Sequence, residues 1–183
     1  MAKVVLLSCS PNKNGNTIQV FEKMAEAIRE KGLEAEVLSL SGLNLADSMS
    51  PAALKDKDGF DSIVAKIKEA EGFIVGSPVY WGTMRAETMI ALQRLAMASA
   101  ADNNFLYGKV GGPVAIARRG GTTSSIQEAL MFYLYHDMII VGSTYWNMVF
   151  GKAPGEALKD EEGMRTVIHF AENVADVITK LYK

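Results

Sequence analysis

The chain has 183 residues, 49% of them apolar, and its 19 basic and 21 acidic side chains leave a formal charge of −2. That length and apolar content suit one domain over residues 1–183 with a substantial core, and the absence of any basic block argues against nucleic acid as a partner. A lone cysteine, Cys9, excludes an intramolecular disulfide and leaves no thiolate set for a metal or cluster.

Residues 4–7 (VVLL) form a continuous apolar run, the mark of a strand covered on both faces in a parallel sheet. Residues 8–17 (SCSPNKNGNT) follow, and a helical pattern of Phe21, Met24, Ala25 and Ile28 comes next, stopped by Gly32. A small, polar, glycine-containing turn between a buried strand and a helix aims several N–H groups at one spot, which is the chemistry of a phosphate cradle. Ser8, Ser10, Asn12, Asn14, Asn16 and Thr17 can add side-chain donors. The turn has neither the lysine of a triphosphate loop nor the glycine triplet of a dinucleotide fold, so a single phosphate monoester, such as the one FMN carries, fits it best. A plain polar connection is the alternative.

Residues 36–40 (EVLSL) read as a second strand, and 41–59, with Pro51 and mixed charges, as a polar connection that builds no core. Ile63, Val64, Ile67 and Ala70 give a short amphipathic helix, and 73–76 (FIVG) a third strand. The SPVYWG turn at 77–82 then sits at a strand's carboxyl end, where open α/β sheets bind ligands. Tyr80 and Trp81 there either wall a ligand or fold back over the core. A helix over 86–98 is apolar around much of its circumference, as is a second that runs to His136 with Ser124 or Ser125 as its cap. Both have surplus apolar surface, either for a second copy of the chain or for cover by long loops. Between them lie a fourth strand at 110–117 (VGGPVAIA) and the loop Arg118, Arg119, Gly120, Gly121. Residues 138–142 (MIIVG) read as a fifth strand and 143–159 as a long loop carrying Tyr145, Trp146 and Phe150, a length typical of binding loops. Acidic residues 160–162 open a last helix, whose buried stripe includes Met164, Val167, Ala171, Ala175 and Ile178.

Five strands alternating with five helices specify an α/β fold, a flavodoxin-like three-layer α/β/α sandwich with a five-stranded parallel sheet of order 2-1-3-4-5. That order brings the cradle, the SPVYWG turn and the arginine–glycine loop to one edge, the description of a flavin mononucleotide site. No signal segment or membrane span is evident, so a cytoplasmic protein without a membrane partner is expected. His136 and His169 are far apart, and no metal site is expected.

The combination of SxSPxxxGNT at 8–17, GSPVYWG at 76–82, the glycine loop after strand 4 and the DEEG start of the last helix resembles the NADPH-dependent FMN reductase and iron–sulfur flavoprotein group, nearly end to end. The resemblance implies FMN, with its phosphate on Ser8, Ser10, Asn14, Asn16 and Thr17. Its ring would lie against Pro78, Val79, Tyr80, Trp81 and Gly82 and the loop of Arg118, Arg119, Gly120 and Gly121. It also implies a homodimer or homotetramer, here through the third and fourth helices. Iron–sulfur members carry a compact cysteine motif after the second strand, whereas 41–59 contains none. The expected activity is therefore a flavin-only, NADPH- or NADH-dependent oxidoreductase. It would pass electrons to a small-molecule acceptor such as free flavin or a quinone, or to a redox protein. No protein acid, base or nucleophile is required. A flavodoxin-type electron carrier and a flavin-free interaction protein on the same fold remain as alternatives.

Overall fold

The computed structural model describes residues 1–45 and 58–182. In chain order the elements are β1 (Lys3–Ser8), α1 (Asn16–Glu30), β2 (Glu34–Ser39), α2 (Phe60–Glu69), β3 (Gly72–Tyr80), β4 (Thr83–Met84) and α3 (Ala86–Ala101). They continue with β5 (Val110–Ala117), α4 (Thr122–Tyr135), β6 (Ile139–Ile140), β7 (Met148–Phe150), a single 3-10 turn (Ala157–Lys159) and α5 (Glu161–Leu181). The central path of the sheet is β2-β1-β3-β5-β6, parallel throughout, which is the expected five-strand order.

The period-2 geometry of β1 divides its side chains between two cores. Val4 and Leu6 join Phe21, Met24 and Ile28 of α1 and Val167, Phe170 and Ile178 of α5 on one face. Val5, Leu7 and Cys9 join Phe60 and Ile67 of α2, Leu92 and Leu95 of α3 and Tyr133 of α4 on the other. The central strands β1, β3 and β5 are buried on both sides and are near-continuously apolar for that reason, whereas β2 at the edge (EAEVLS) is only partly buried. The polar connection expected at 41–59 lies largely outside the described residues.

Three expectations are corrected. The third strand does not stop at Gly76 but runs to Tyr80, then reverses through Trp81 (φ 53°) and Gly82 (φ 89°) into antiparallel β4. Two central residues with positive φ make the tight hairpin turn that matches strand twist, so SPVYWG is strand and hairpin rather than loop. The fifth strand is only two residues long, and the 143–159 segment is not structureless: β7 pairs with β5 at Ala115, Ile116 and Ala117. The edge breaks in two around Pro113, whose carbonyl takes Asn147 Nδ2 at 3.2 Å while Ala115 N donates to Asn147 O at 2.9 Å. Finally, Ser124 and Ser125 do not cap α4, which begins at Thr122; both hydroxyls donate to the carbonyl of Gly121. At α5 the acidic start performs as expected, with Asp160 Oδ1 accepting from Gly163 N at 3.0 Å.

Candidate functional site

The turn after β1 is held by its own polar groups. Asn12 N donates to Ser10 Oγ at 3.2 Å, and Gly15 N to Asn12 O at 3.2 Å. Gly15 occupies the N-cap of α1 and no side chain caps that helix, so its first-turn N–H groups face the turn unsatisfied. The Thr17 side chain is buried beside this turn, and Ser8 Oγ, fully buried at the end of β1, has no hydrogen-bond partner among the described residues. A helix N-terminus without a cap, next to an orphaned hydroxyl, is a donor set lacking its acceptor, and it suits the oxygens of a phosphate monoester.

Above this turn is a cleft of about 300 Å³. Ser10, Asn12, Gly15, Asn16 and Thr17 form one wall; Pro78, Val79 and Tyr80 of β3 and Ile116, Ala117 and Arg118 from β5 form the floor and far side. Sheet register brings the latter together, since Pro78 lies opposite Ile116. Gly151, Lys152 and Pro154 close the fourth side. They are delivered by β7, where Phe150 lies opposite Ala117 and Gly151 N donates to Ala117 O at 2.9 Å. The closing loop is then tied to the cradle, because Asn16 Oδ1 accepts from Gly155 N at 2.9 Å and from Ala157 N at 3.3 Å.

Of the residues singled out from sequence, Ser10, Asn16, Thr17, Pro78, Val79, Tyr80 and Arg118 line the cleft. Ser8 lies beneath it as a buried strand end. Asn14 is on the outer side of the turn, its carbonyl accepting from Gln19 Nε2 at 2.9 Å. Trp81 and Gly82 form the hairpin tip, and Trp81 is fully exposed, so neither it nor the half-exposed Tyr80 folds back over the core. Gly121 packs against Gly82, the carbonyl of which takes Ser124 Oγ at 2.7 Å. Gly120 borders open space, and Arg119 lies in an adjoining basin. Tyr145 and Trp146 pack against each other with ring centres 4.7 Å apart and planes tilted by 57°, away from the cleft.

Lys152 and Pro154 carry no motif, and their position follows only from the unforeseen β5–β7 pairing. Arg85 was equally silent in the sequence. Its Nη1 donates to the Cys9 carbonyl at 2.9 Å and its Nη2 pairs with Glu87 at 2.7 Å, fixing the start of the cradle to the start of α3. Cys9 points into the core of α2, α3 and α4 rather than the cleft. Burial pushes its thiol up to about 12, against smaller opposing effects of Thr88 and Arg85. It is an inert filler. Among the described residues no group of histidine, cysteine or carboxylate side chains is arranged to hold a metal ion.

A parallel sheet of this order, with an uncapped helix N-terminus and a cleft at its carboxyl edge, defines a flavodoxin-like nucleotide-binding domain. Residues 2–153 match the NADPH-dependent FMN reductase family, and the chain belongs to that family. In class it is an FMN-binding flavoprotein oxidoreductase. An iron–sulfur flavoprotein of Methanocaldococcus jannaschii is 34% identical over 99% of this chain and 100% of its own length, and one of Methanosarcina thermophila is 30% identical over 99% and 97%. Among solved structures, an NADH:FMN oxidoreductase superposes with a TM-score of 0.70 at 17% identity, over 97% of this chain and 89% of its own. A flavone reductase superposes with a TM-score of 0.78 at 18% identity, over 98% of this chain, which spans 64% of that protein's length. At such identities the likeness shows the fold.

Proposed function

We propose that this protein is a cytoplasmic NAD(P)H-dependent oxidoreductase that passes electrons through FMN to a small-molecule acceptor such as free flavin or a quinone, without an iron–sulfur cluster. The observation that carries the reading is the orphaned donor set of the cradle opening into a cleft walled by β3 and β5. The N–H groups of Asn16 and Thr17 and the hydroxyls of Ser10 and Thr17 would bind the phosphate, with Lys152 adding a cation. Pro78 to Tyr80 would face the ring, and Arg118 would favour negative charge on it. Bound FMN supplies the hydride and electron chemistry; the residues bind, orient and exclude water. A single cysteine, buried, leaves no thiolates for a cluster, unlike what the name of the archaeal relatives states for them. The exposed Met131, Leu134 and Tyr135 of α4 support a homodimer or homotetramer formed through α3 and α4.

The test is a visible spectrum of the protein after FMN loading and removal of excess, followed by anaerobic addition of NADPH or NADH. A retained flavin band that bleaches quickly is expected. A band that persists would make the protein an electron carrier, and no retained flavin would reject the cradle.

A further inference from the structure

Arg85 opens α3 from the N-cap position, and its side chain makes no capping hydrogen bond to that helix. A cation there opposes the positive end of the helix, where serine, threonine, aspartate or asparagine would serve better. Glu87, in the first turn, offsets part of the conflict by pairing with Nη2 at 2.7 Å. A residue that breaks a local rule and is nevertheless firmly held points to a role outside its own helix.

Both ends of Arg85 are fixed. Its backbone N donates to Pro78 O at 3.2 Å and to Ser77 Oγ at 3.1 Å, and its carbonyl accepts from Thr88 N at 2.9 Å. Ser77 Oγ is in turn bonded to Thr88 Oγ1 at 2.9 Å. The main chain is thus seated on β3 beside Pro78, a residue of the cleft floor. The side chain, only 13% exposed, reaches the start of the cradle, where Nη1 donates to Cys9 O at 2.9 Å. The N–H of that same peptide belongs to Ser10, which lines the cleft. A cation bonded to a peptide carbonyl polarises the peptide and makes its N–H a stronger donor. The turn has little charge of its own. Lys13 is the one cationic side chain in 8–17, and it is exposed, with Cε 3.9 Å from where a Cβ on Gly42 would stand, beyond the end of β2.

We infer that Arg85 is a positioning residue for the phosphate group, acting from outside the cleft through the Cys9–Ser10 peptide. It supplies the cradle with the positive charge that a triphosphate loop takes from its lysine, and it sets the cradle against the β3 floor. The inference rests on the flavin reading of the cleft. Because the action is on the phosphate and not on the ring, riboflavin, which has the ring alone, is the control.

The experiment compares FMN with riboflavin binding, by fluorescence titration after removal of any bound flavin, in wild type, Arg85→Ala, Arg85→Gln, Arg85→Lys and Glu87→Gln. Wild type prefers FMN. Arg85→Ala and Arg85→Gln lose about three- to tenfold of that preference, as for the loss of one hydrogen bond, and Arg85→Lys, which keeps the charge, retains most of it. Glu87→Gln, which removes the counter-charge, raises the preference about twofold, as for an exposed charge pair. An unchanged FMN-to-riboflavin ratio in Arg85→Gln overturns the inference, because a purely structural residue would weaken both flavins alike. Should Arg85→Gln not fold, Glu87→Gln decides, and a ratio that stays or falls there overturns it. Failure of the flavin reading shows separately, as a wild type that binds neither flavin. Titration with inorganic phosphate then decides, and phosphate binding that is absent, or equal in wild type and Arg85→Gln, overturns the inference.

Discussion

Asn16 Oδ1 accepts the N–H of Gly155 at 2.9 Å across 139 positions of sequence, and so joins the first residue of α1 to the loop that closes the far side of the cleft. The side chain read from sequence as a phosphate donor also serves as a clasp through this oxygen, which takes Ala157 N as well at 3.3 Å. Asn16→Ala should release residues 151–157 while leaving the cradle's backbone donors in place. The loss of two such bonds is worth about 1–2 kcal/mol. We expect roughly tenfold weaker FMN binding, together with faster amide exchange in 151–157. Unchanged exchange there would mean that β5–β7 pairing alone holds the loop.

Adjacent glycines make a paired test of the hairpin's position. A Cβ on Gly121 (φ +91°) would stand 2.6 Å from Gly82 Cα and 2.8 Å from Val79 Cγ1, whereas one on Gly120 would meet nothing within 4 Å. Gly121→Ala therefore pushes the Val79–Gly82 hairpin and strains its own backbone by about 1–2 kcal/mol, and FMN binding should weaken severalfold or more. Gly120→Ala should bind FMN within about twofold of wild type, as for a surface change of under about 0.5 kcal/mol. Equal affinities for the two variants would detach the hairpin from the site.

The contrast between those two positions marks where the sequence was informative. The three central strands β1, β3 and β5 were legible because burial on both faces demands near-continuous apolar runs such as VVLL and VGGPVAIA, and the cradle because strand, polar turn and helix are contiguous. The hairpin was hidden because its turn uses Trp81 at φ 53° in place of the asparagine or aspartate that usually announces such a turn. β7 was hidden because three residues, MVF, have no periodicity to read, and their strand character comes from pairing with β5 past Pro113. Lys152, Pro154 and the Asn16 clasp all depend on that pairing, so they were missed together.

Tyr133 reaches from α4 into the sheet at the point where Val75 lies opposite Pro113, which has no N–H. Its hydroxyl accepts from Val75 N at 3.2 Å and lies within donating distance of Phe73 O (3.2 Å) and Gly112 O (3.1 Å). Burial pushes the phenol well above its usual range, which keeps the donor in place. Tyr133→Phe strips partners from buried backbone groups and should cost about 1–3 kcal/mol. The expected reading is a lower urea midpoint at unchanged m. An unaltered midpoint would mean that the strands close over the gap without the hydroxyl.

Cys9 gives the protein a pH signature whose sign can be stated in advance. Its thiol titrates at about 12 in the fold against 9.0 for a free thiol, chiefly through burial. Between those values the unfolded chain has lost a proton that the folded chain keeps, so this group's contribution is complete below pH 9 and declines as pH rises towards 12. The slope approaches about 1.4 kcal/mol per pH unit once the unfolded thiol is fully ionised. Lys109 acts in the opposite direction. Buried against the carbonyls of Lys68 and Ala70, it titrates at about 8 instead of 10.5, so the unfolded chain binds the extra proton and stability rises through that window. The two effects oppose each other in the wild-type curve, but the lysine is common to wild type and Cys9→Ala. Urea unfolding at pH 8, 9 and 10 should therefore show wild type losing stability relative to Cys9→Ala as pH rises, whatever fixed cost the alanine brings at pH 8. A constant difference between the two proteins across that range would show that the Cys9 thiol ionises in the folded state much as it does in the unfolded chain.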